Sequence, residues 1–183
     1  MDDSDIAKLC KKIYENHQQA LDLIFEHRPD LQSYVFDQIM DEIKNTEKVI
    51  LDKSTKTEIR FSTPELESMA AQQTGDGSWT PSKRLVLFQL TNKDSGVYIQ
   101  LIIGPGTDQS LRELLFNKAN ISIIIKGKKT LTPKWSSIHR FDLVNKEEIR
   151  DLTSEGIVEK LIEKWTQFID EELPEIQKVL IEN

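Results

Sequence analysis

The sequence lacks three features, and each absence excludes a class of protein. Cys10 is the one cysteine, so no internal disulfide can form, and this fits a reducing compartment. No apolar run approaches the roughly 18 residues of a membrane-spanning helix. The N-terminal sequence MDDSDIAKLC is acidic and has no apolar run of the kind that signal peptides carry. We therefore expect a cytoplasmic protein that has no membrane segment.

The sequence also lacks a basic excess. It has 24 Lys and Arg against 31 Asp and Glu, a net charge of −7, which excludes a protein that coats duplex DNA through uniform positive charge. The charge is unevenly spread: residues 1–50 carry −5, residues 51–111 carry −1, residues 112–140 carry +6 and residues 141–183 carry −7. A basic segment therefore lies between two acidic ends.

Apolar residues at three- and four-residue spacing predict two N-terminal helices. The first covers about residues 5–27, and Pro29 interrupts it, since proline disfavours helical geometry at the preceding residue. Asp30 is the candidate cap of the second helix. Because the break is short, we expect the two helices to pack as an antiparallel pair. The inward residues of the second helix are Val35, Phe36, Ile39, Met40 and Ile43.

The centre of the chain has the composition of a sheet. Residues 84–91 and 97–103 are rich in Leu, Val, Ile, Phe and Tyr, and the five residues Asn92–Gly96 join them, which predicts a hairpin at the centre of an antiparallel sheet. A short strand is expected over 57–61. Residues 72–82, which include two glycines and a proline, are predicted to form an exposed loop. Ile121–Ile125 is expected to be extended.

Three further helices have recognisable starts. Thr63 is predicted to cap one, with Pro64 in its first turn, and Thr107 or Asp108 is predicted to cap another. The last helix begins at about Ser154, and Pro174 is expected to kink or break it. Its apolar stripe consists of Val158, Leu161, Ile162, Trp165, Phe168 and Ile169.

These elements predict an α+β fold in which helices pack on a central antiparallel sheet built on the 84–103 hairpin. We expect a single domain over residues 1–183. Within it, residues 1–48 form the helical pair, residues 49–145 the sheet region and residues 146–183 the C-terminal helices.

Several stretches, taken in order, carry a resemblance. They are Leu9–Pro29 (LCKKIYENHQQALDLIFEHRP), Leu85–Gly106 (LVLFQLTNKDSGVYIQLIIGPG) and Leu131–Ile138 (LTPKWSSI), followed by a helix ending in Glu172-Leu173-Pro174. Together they resemble the C-terminal region of bacterial proteins of the PD-(D/E)XK nuclease superfamily. In that family the nuclease core lies N-terminal to this region. The resemblance therefore implies an accessory module without the catalytic half.

Nuclease chemistry of that type needs an Asp on one strand and a (D/E)-x-K on the next, so that two carboxylates hold Mg²⁺ beside a lysine. Asp30 with Glu42 and Lys44 matches literally, but the segment has helical spacing, and residues two apart on a helix point to different sides.

A second set of carboxylates has strand character. It comprises Asp52, Glu58 and Arg60, but an arginine replaces the lysine and is a poor proton acceptor. We therefore assign no catalytic residue.

Other constellations favour structural roles. His17, His27 and His139 are scattered, and no Cys/His pair has the spacing of a zinc site, so we assign no metal ligand and no cofactor. Cys10 and His17 fit a buried thiol beside a hydrogen-bonded histidine better than a nucleophile and its base. The turn Gly104–Asp108 could offer backbone N–H groups to a phosphate, but Asp108 already places a carboxylate at the helix start.

The basic segment is the candidate binding surface. Positive charge beside exposed aromatic rings is typical of proteins that bind single-stranded nucleic acid. The alternative is that Trp135 lies in the core and that the lysines are a solvated turn or face the acidic C-terminal helix. The candidate residues are Arg112, Lys118, Lys126, Lys128, Lys129, Lys134, Trp135 and Arg140, with His139 and Phe141 interleaved.

We predict from this surface that DNA binding weakens steeply with salt and that joint Lys128→Glu and Lys129→Glu substitution removes it. The leading hypothesis is a non-catalytic accessory module that contacts a nucleic acid or a protein partner, including a missing nuclease domain or a second copy of the chain. The alternatives are a Mg²⁺-dependent nuclease with a divergent carboxylate site and a regulator or inhibitor.

Overall fold

The structure is a computed structural model that describes residues 3–26, 30–125 and 130–181. The chain divides into two compact units, Met1–Leu31 and Gln32–Asn183. The single domain and the antiparallel packing of the first two helices stay predictions. None of the helices in the described ranges combines the length and apolar character that a membrane span requires.

Helix α1, Asp3–Glu26, lies in the first unit and confirms the helix expected there. Its helical geometry is interrupted at His17, whose φ is −130° and ψ is 23°. Cys10 and His17 are both exposed, so the prediction of a buried thiol is wrong. The apolar residues at helical spacing, including Ile6, Leu9 and Ile13, are also about half exposed.

A five-stranded antiparallel sheet organises the second unit and confirms the α+β fold. Its strands follow one another in chain order: β1 (Ile50–Leu51), β2 (Glu58–Ser62), β3 (Val86–Lys93), β4 (Gly96–Ile103) and β5 (Ser136–Asn145).

The predicted hairpin is the β3–β4 pair at the centre of the sheet, with Lys93 opposite Gly96. Two residues rather than five therefore join the strands. Gly96 has a φ of +143°, which only glycine adopts without strain, and this allows the close turn.

The other helices come before, between and after the strands along the chain. They are α2 (Leu31–Asn45), α3 (Pro64–Glu67), a single 3₁₀ turn (Gln72–Thr74), α4 (Gln109–Ile121), α5 (Lys146–Asp151), α6 (Ser154–Gln167) and α7 (Leu173–Ile181). The caps predicted for α3 and α4 are confirmed, and the cap predicted at Asp30 stays a prediction. The Thr63 hydroxyl accepts from the Leu66 N–H, and the Asp108 carboxylate accepts from the N–H groups of Ser110 and Leu111.

Two predicted elements differ from the structure. Ile121 ends α4 and residues 122–125 belong to no strand: Ile123 is 91% exposed, whereas Ile125 is buried. The loop 72–82 is not uniformly exposed, because Gln72 and Thr80 are buried. The Gln72 side chain donates to the Val86 carbonyl at 2.8 Å and accepts from the Val86 N–H at 3.1 Å, so it takes the place of a strand neighbour.

Pro174 does not end the C-terminal helix. A π-helical turn, Phe168–Glu172, lies between α6 and α7, and the backbone stays helical at Gln167, Phe168 and Leu173. A proline has no N–H to donate and its ring crowds the carbonyl four residues earlier. The wider turn just before Pro174 accommodates both effects, so the predicted break is replaced by a local expansion.

The core centres on Phe168, the first residue of that π turn. Its ring lies 5.5 Å from Phe88, 6.5 Å from Phe61, 5.6 Å from Phe141 and 6.0 Å from Trp165, measured between ring centroids. Edge and tilted contacts of this kind contribute about 0.5–1.5 kcal/mol each beyond the burial of area. Phe168 thus joins three strands to the C-terminal helix.

We predict that Phe168→Ala lowers the free energy of unfolding by about 3–5 kcal/mol, because it leaves a cavity where the sheet and helix meet. Urea denaturation followed by circular dichroism measures the change. Leu114→Ala is the control: this α4 residue is 52% exposed, and a change within about 0.5 kcal/mol is expected. Equal losses in the two variants would contradict the central role of Phe168.

Candidate functional site

The strand register divides the sheet into two faces of different chemistry. Residues opposite one another on neighbouring strands point to the same side. The row Phe61, Phe88, Leu101 and His139 faces the core beneath the C-terminal helix. The adjacent row, on the opposite side, consists of Arg60, Gln89, Gln100 and Arg140. A second row on that side consists of Glu58, Thr91, Tyr98 and Asp142.

This second side carries aromatic rings that each have a cation close by. The Arg60 guanidinium lies 5.5 Å from the ring centre of Trp79, and the Arg140 guanidinium lies 3.7 Å from that of Tyr98. The Lys134 ammonium lies 5.6 Å from the ring of Trp135, which is 51% exposed. Such contacts hold a ring and a cation together by electrostatic attraction. We call these three rings and their three cations the aromatic face.

Trp79 belongs to the loop before β3 and is held by contacts with the turn after β4. A Cβ added to Gly104 would lie 2.3 Å from the Trp79 ring, so the ring packs directly against the glycine backbone. The Asp76 N–H donates to the Pro105 carbonyl at 3.1 Å, and Gly75 bridges to Gly106. The Gly104–Asp108 turn therefore packs against Trp79 and its loop, which agrees with the structural role predicted for the turn.

Arg112 holds the segment that carries Trp135. It is 1% exposed, and its guanidinium donates to the carbonyls of Gly104 at 2.9 Å, Thr132 at 2.8 Å and Lys134 at 2.9 Å. Burial lowers its pKa. Its inclusion among the surface cations was therefore wrong, because its donors are used inside the protein.

The other predicted cations differ in their exposure. Lys134 and Arg140 are exposed, and Lys118 is half-buried on α4. Lys126, Lys128 and Lys129 lie outside the described residues.

The aromatic residues of the basic segment also differ in position. His139 and Phe141 point towards the core: His139 is 2% exposed and the Phe141 ring contacts Phe168. Trp135 is not a core residue, so of the segment's aromatic rings it alone belongs to the aromatic face.

A pocket of about 350 Å³ opens on this side of the sheet. Trp79 and Trp135 form part of its wall, and Ile102 contributes apolar surface. The Arg60 Nε donates to Gln89 Oε1 at 2.9 Å, and an Arg60 terminal nitrogen lies 2.5 Å from Glu58 Oε2. The pocket therefore combines two large rings with a carboxylate, a guanidinium and an amide. Its lining residues are Glu58, Arg60, Trp79, Gln89, Ile102 and Trp135.

A second polar cluster centres on Arg84, at the end of the Trp79 loop. Arg84 donates to Asp52 at 2.6 Å and to Glu67 at 2.8 Å. Ser82 and Ser62 donate to the same two carboxylates. Burial raises the pKa of both acids, but these hydrogen bonds outweigh it and hold each pKa below its usual value. The cluster therefore holds the C-terminal end of the Trp79 loop in place.

Neither nuclease candidate forms an open carboxylate pair. Glu42 and Lys44 lie on helix α2, as their spacing indicates. The Asp52 carboxylate is bound to Ser82 and Arg84, whereas Glu58 is bound to Arg60. Within the described ranges, no group of three His, Cys, Asp or Glu side chains is placed to hold a metal ion.

Sequence reasoning did not identify Trp79, Tyr98 or Gln89 as site residues. The signal was present in the strands: Gln89 and Thr91, and likewise Tyr98 and Gln100, are polar residues at a spacing of two within otherwise apolar runs. That alternation indicates a second, non-core face. Trp79 has no such signal, because the remote Gly104 determines its place.

We predict that Arg84→Gln lowers the free energy of unfolding at neutral pH by about 2–3 kcal/mol, since hydrogen bonds to charged groups contribute about 1.5–3 kcal/mol each. The native pKa values of Asp52 and Glu67 are lowered, so their stabilisation is complete above the pKa of the unfolded chain and is lost as the pH falls below about 4. The difference between wild type and variant should therefore shrink in acid.

Urea denaturation at neutral and acidic pH measures this difference. Arg150→Gln is the control, because Arg150 pairs with Asp151 on an exposed surface. A difference between wild type and Arg84→Gln that stays constant with pH would contradict the account.

Comparisons with known proteins do not assign the chain to a family. No family model, no curated protein and no solved structure matches it. The resemblance to the C-terminal region of PD-(D/E)XK nuclease superfamily proteins therefore stays a prediction.

Proposed function

We propose that this chain is a non-catalytic binding module whose aromatic face contacts single-stranded nucleic acid. The observation that carries the proposal is the placement of Trp79, Tyr98 and Trp135 on one side of the sheet, each beside a cation. The resemblance to an accessory region of nuclease-superfamily proteins is in keeping with a contact of this kind.

Unpaired bases are the natural ligand of such a surface. Every base has a π face, and stacking on an aromatic side chain contributes about 1–3 kcal/mol per base. Arginine guanidinium planes also stack on bases. A sheet face that carries rings with guanidinium groups lying over them can therefore bind successive bases of one strand, with a base stacked on a ring or on the guanidinium that covers it. In a duplex those base faces are already stacked on one another.

We expect phosphate contacts to make only a moderate contribution to the affinity, because two of the three cations on this side of the sheet are paired with carboxylates. Arg140 is paired with Asp142 at 2.6 Å, and Arg60 is paired with Glu58. Lys134 extends from the same side beside Trp135. Stacking should thus supply most of the affinity and phosphate contact the remainder. The salt dependence should be weaker than the charge of the basic segment alone predicts.

We predict that the protein binds a labelled single-stranded oligonucleotide of about ten nucleotides and that Trp135→Ala weakens binding by about 5- to 100-fold. Fluorescence anisotropy at low salt measures both affinities. The loss follows from the removal of one stacking platform. Trp165→Phe is the control, because Trp165 is 2% exposed in the core.

The salt dependence supplies an independent readout in the same assay. For single strands the logarithmic slope is about −0.7 per phosphate contact. We expect a slope near −1 to −2 and a reduction in its magnitude by about 0.7 in Lys134→Glu. Lys178→Glu makes the same charge change at an exposed position on α7, outside the aromatic face, and should leave the slope unchanged. Failure of the wild type to bind at low salt would refute the proposal, and metal-dependent cleavage of the oligonucleotide would favour the nuclease alternative.

A second candidate function is protein contact through α1. Ile6, Leu9 and Ile13 follow three- and four-residue spacing and are each 45–48% exposed. Apolar residues at this spacing are typical of helices that pair with another helix. The occupant that this spacing fits is the same helix of a second copy.

We predict from this stripe that light scattering gives about twice the 21.2 kDa mass of the monomer. Joint Leu9→Glu and Ile13→Glu substitution should return the mass to that of a monomer, because it places charges in the apolar contact. Lys11→Glu together with Lys12→Glu is the control on the polar side of the helix. A monomeric wild-type protein would contradict the self-association.

A further inference from the structure

We infer that the pocket between Trp79 and Trp135 takes one guanine base of a bound single strand. This inference rests on the proposed function and names the base that the pocket selects. The pocket lies on the aromatic face rather than in the core, so a base turned out of a strand stacked on this face reaches it without opening the fold.

The size and the walls of the pocket suit a single planar heterocycle. Its volume of about 350 Å³ is at the lower end of the range for small-ligand sites, which is about 300–1,000 Å³. Two tryptophan rings and Ile102 supply the apolar walls that a stacked base requires. The Trp79 ring packs against Gly104, and Arg112 holds the backbone just before Trp135, so the backbone that carries this wall of the pocket is in place before a base binds.

The polar groups of the pocket distinguish guanine from the other bases. Glu58 is an acceptor with two oxygens, and the adjacent Arg60 is a donor. Guanine presents two neighbouring donors, N1–H and the N2 amino group, beside the O6 acceptor. A carboxylate next to a guanidinium is complementary to that sequence of donors and acceptor. The other three bases offer no pair of adjacent donors on one edge.

These polar groups are already held in place. The Arg60 Nε is bound to Gln89, which is 8% exposed, and a terminal nitrogen of Arg60 is bound to Glu58. Gln89 Nε2 in turn lies 3.4 Å from Thr91 Oγ1. The Glu58 and Arg60 side chains are therefore held in position before a base binds, which favours hydrogen bonds that discriminate between ligands.

The test compares three oligonucleotides of equal length: oligothymidine, the same strand with one central guanine, and the same strand with inosine in place of guanine. Inosine lacks the N2 amino group. We expect the guanine strand to bind about tenfold or more tighter than oligothymidine, with the inosine strand between them. Quenching of tryptophan fluorescence at the same concentrations reports contact with the rings.

Glu58→Gln is the matched variant, because it replaces one acceptor oxygen by a donor amide. It should bring the affinity for the guanine strand down to the affinity for oligothymidine, both measured with the same variant. Asp142→Asn, a carboxylate on the same side that pairs with Arg140, should retain the preference. Urea midpoints equal to that of the wild type verify that both variants are folded.

The outcomes separate this inference from the proposed function. Equal binding of all three strands by the wild type overturns the guanine pocket and leaves the aromatic face as a binding surface. A guanine preference that survives Glu58→Gln overturns the assignment of Glu58 and Arg60 as the reading groups. Absence of binding to every strand refutes both proposals together.

Discussion

The packing of the Phe168 ring against the sheet is the contact on which the rest of the second unit depends. It joins the rings of β2, β3 and β5 to the C-terminal helix, at the residue where that helix widens into a π turn. With one side of the sheet sealed by this contact, the hydrophobic residues of the strands need only one covering layer. The opposite side is then available for polar and aromatic residues, and the strand alternation places Arg60, Tyr98 and Arg140 there.

The aromatic face is held in place by residues that are not part of it. Gly104 leaves room for the ring of Trp79, and Arg112 ties the segment before β5 through three backbone carbonyls. Arg84 fixes the other end of the Trp79 loop between two carboxylates. The guanidinium groups of Arg112 and Arg84 bind partners within the protein, so they stabilise the site and do not present their charge at its surface. Arg112 therefore has a structural role although it belongs to the basic segment by sequence.

The sequence predicted the α+β fold and most of the helix starts, because these depend on local signals: apolar spacing, capping side chains and the β3–β4 hairpin pattern. It did not predict the fate of Pro174, since a π turn and a break have the same local signature. The basic segment located Lys134, Trp135 and Arg140 but misplaced Arg112, whose burial depends on carbonyls of residues 104, 132 and 134. Trp79 was missed because its position is set by a turn 25 residues away in the chain.

Tryptophan fluorescence reports directly whether rings of the aromatic face contact a single strand, as we propose. The chain has three tryptophans, and Trp165 is in the core whereas Trp79 and Trp135 line the pocket. On this proposal, a single-stranded oligonucleotide quenches the wild-type emission. Joint Trp79→Phe and Trp135→Phe substitution abolishes the quenching, because only the emission of Trp165 in the core remains. Unchanged wild-type emission at saturating oligonucleotide, or quenching that persists in the double variant, would contradict it.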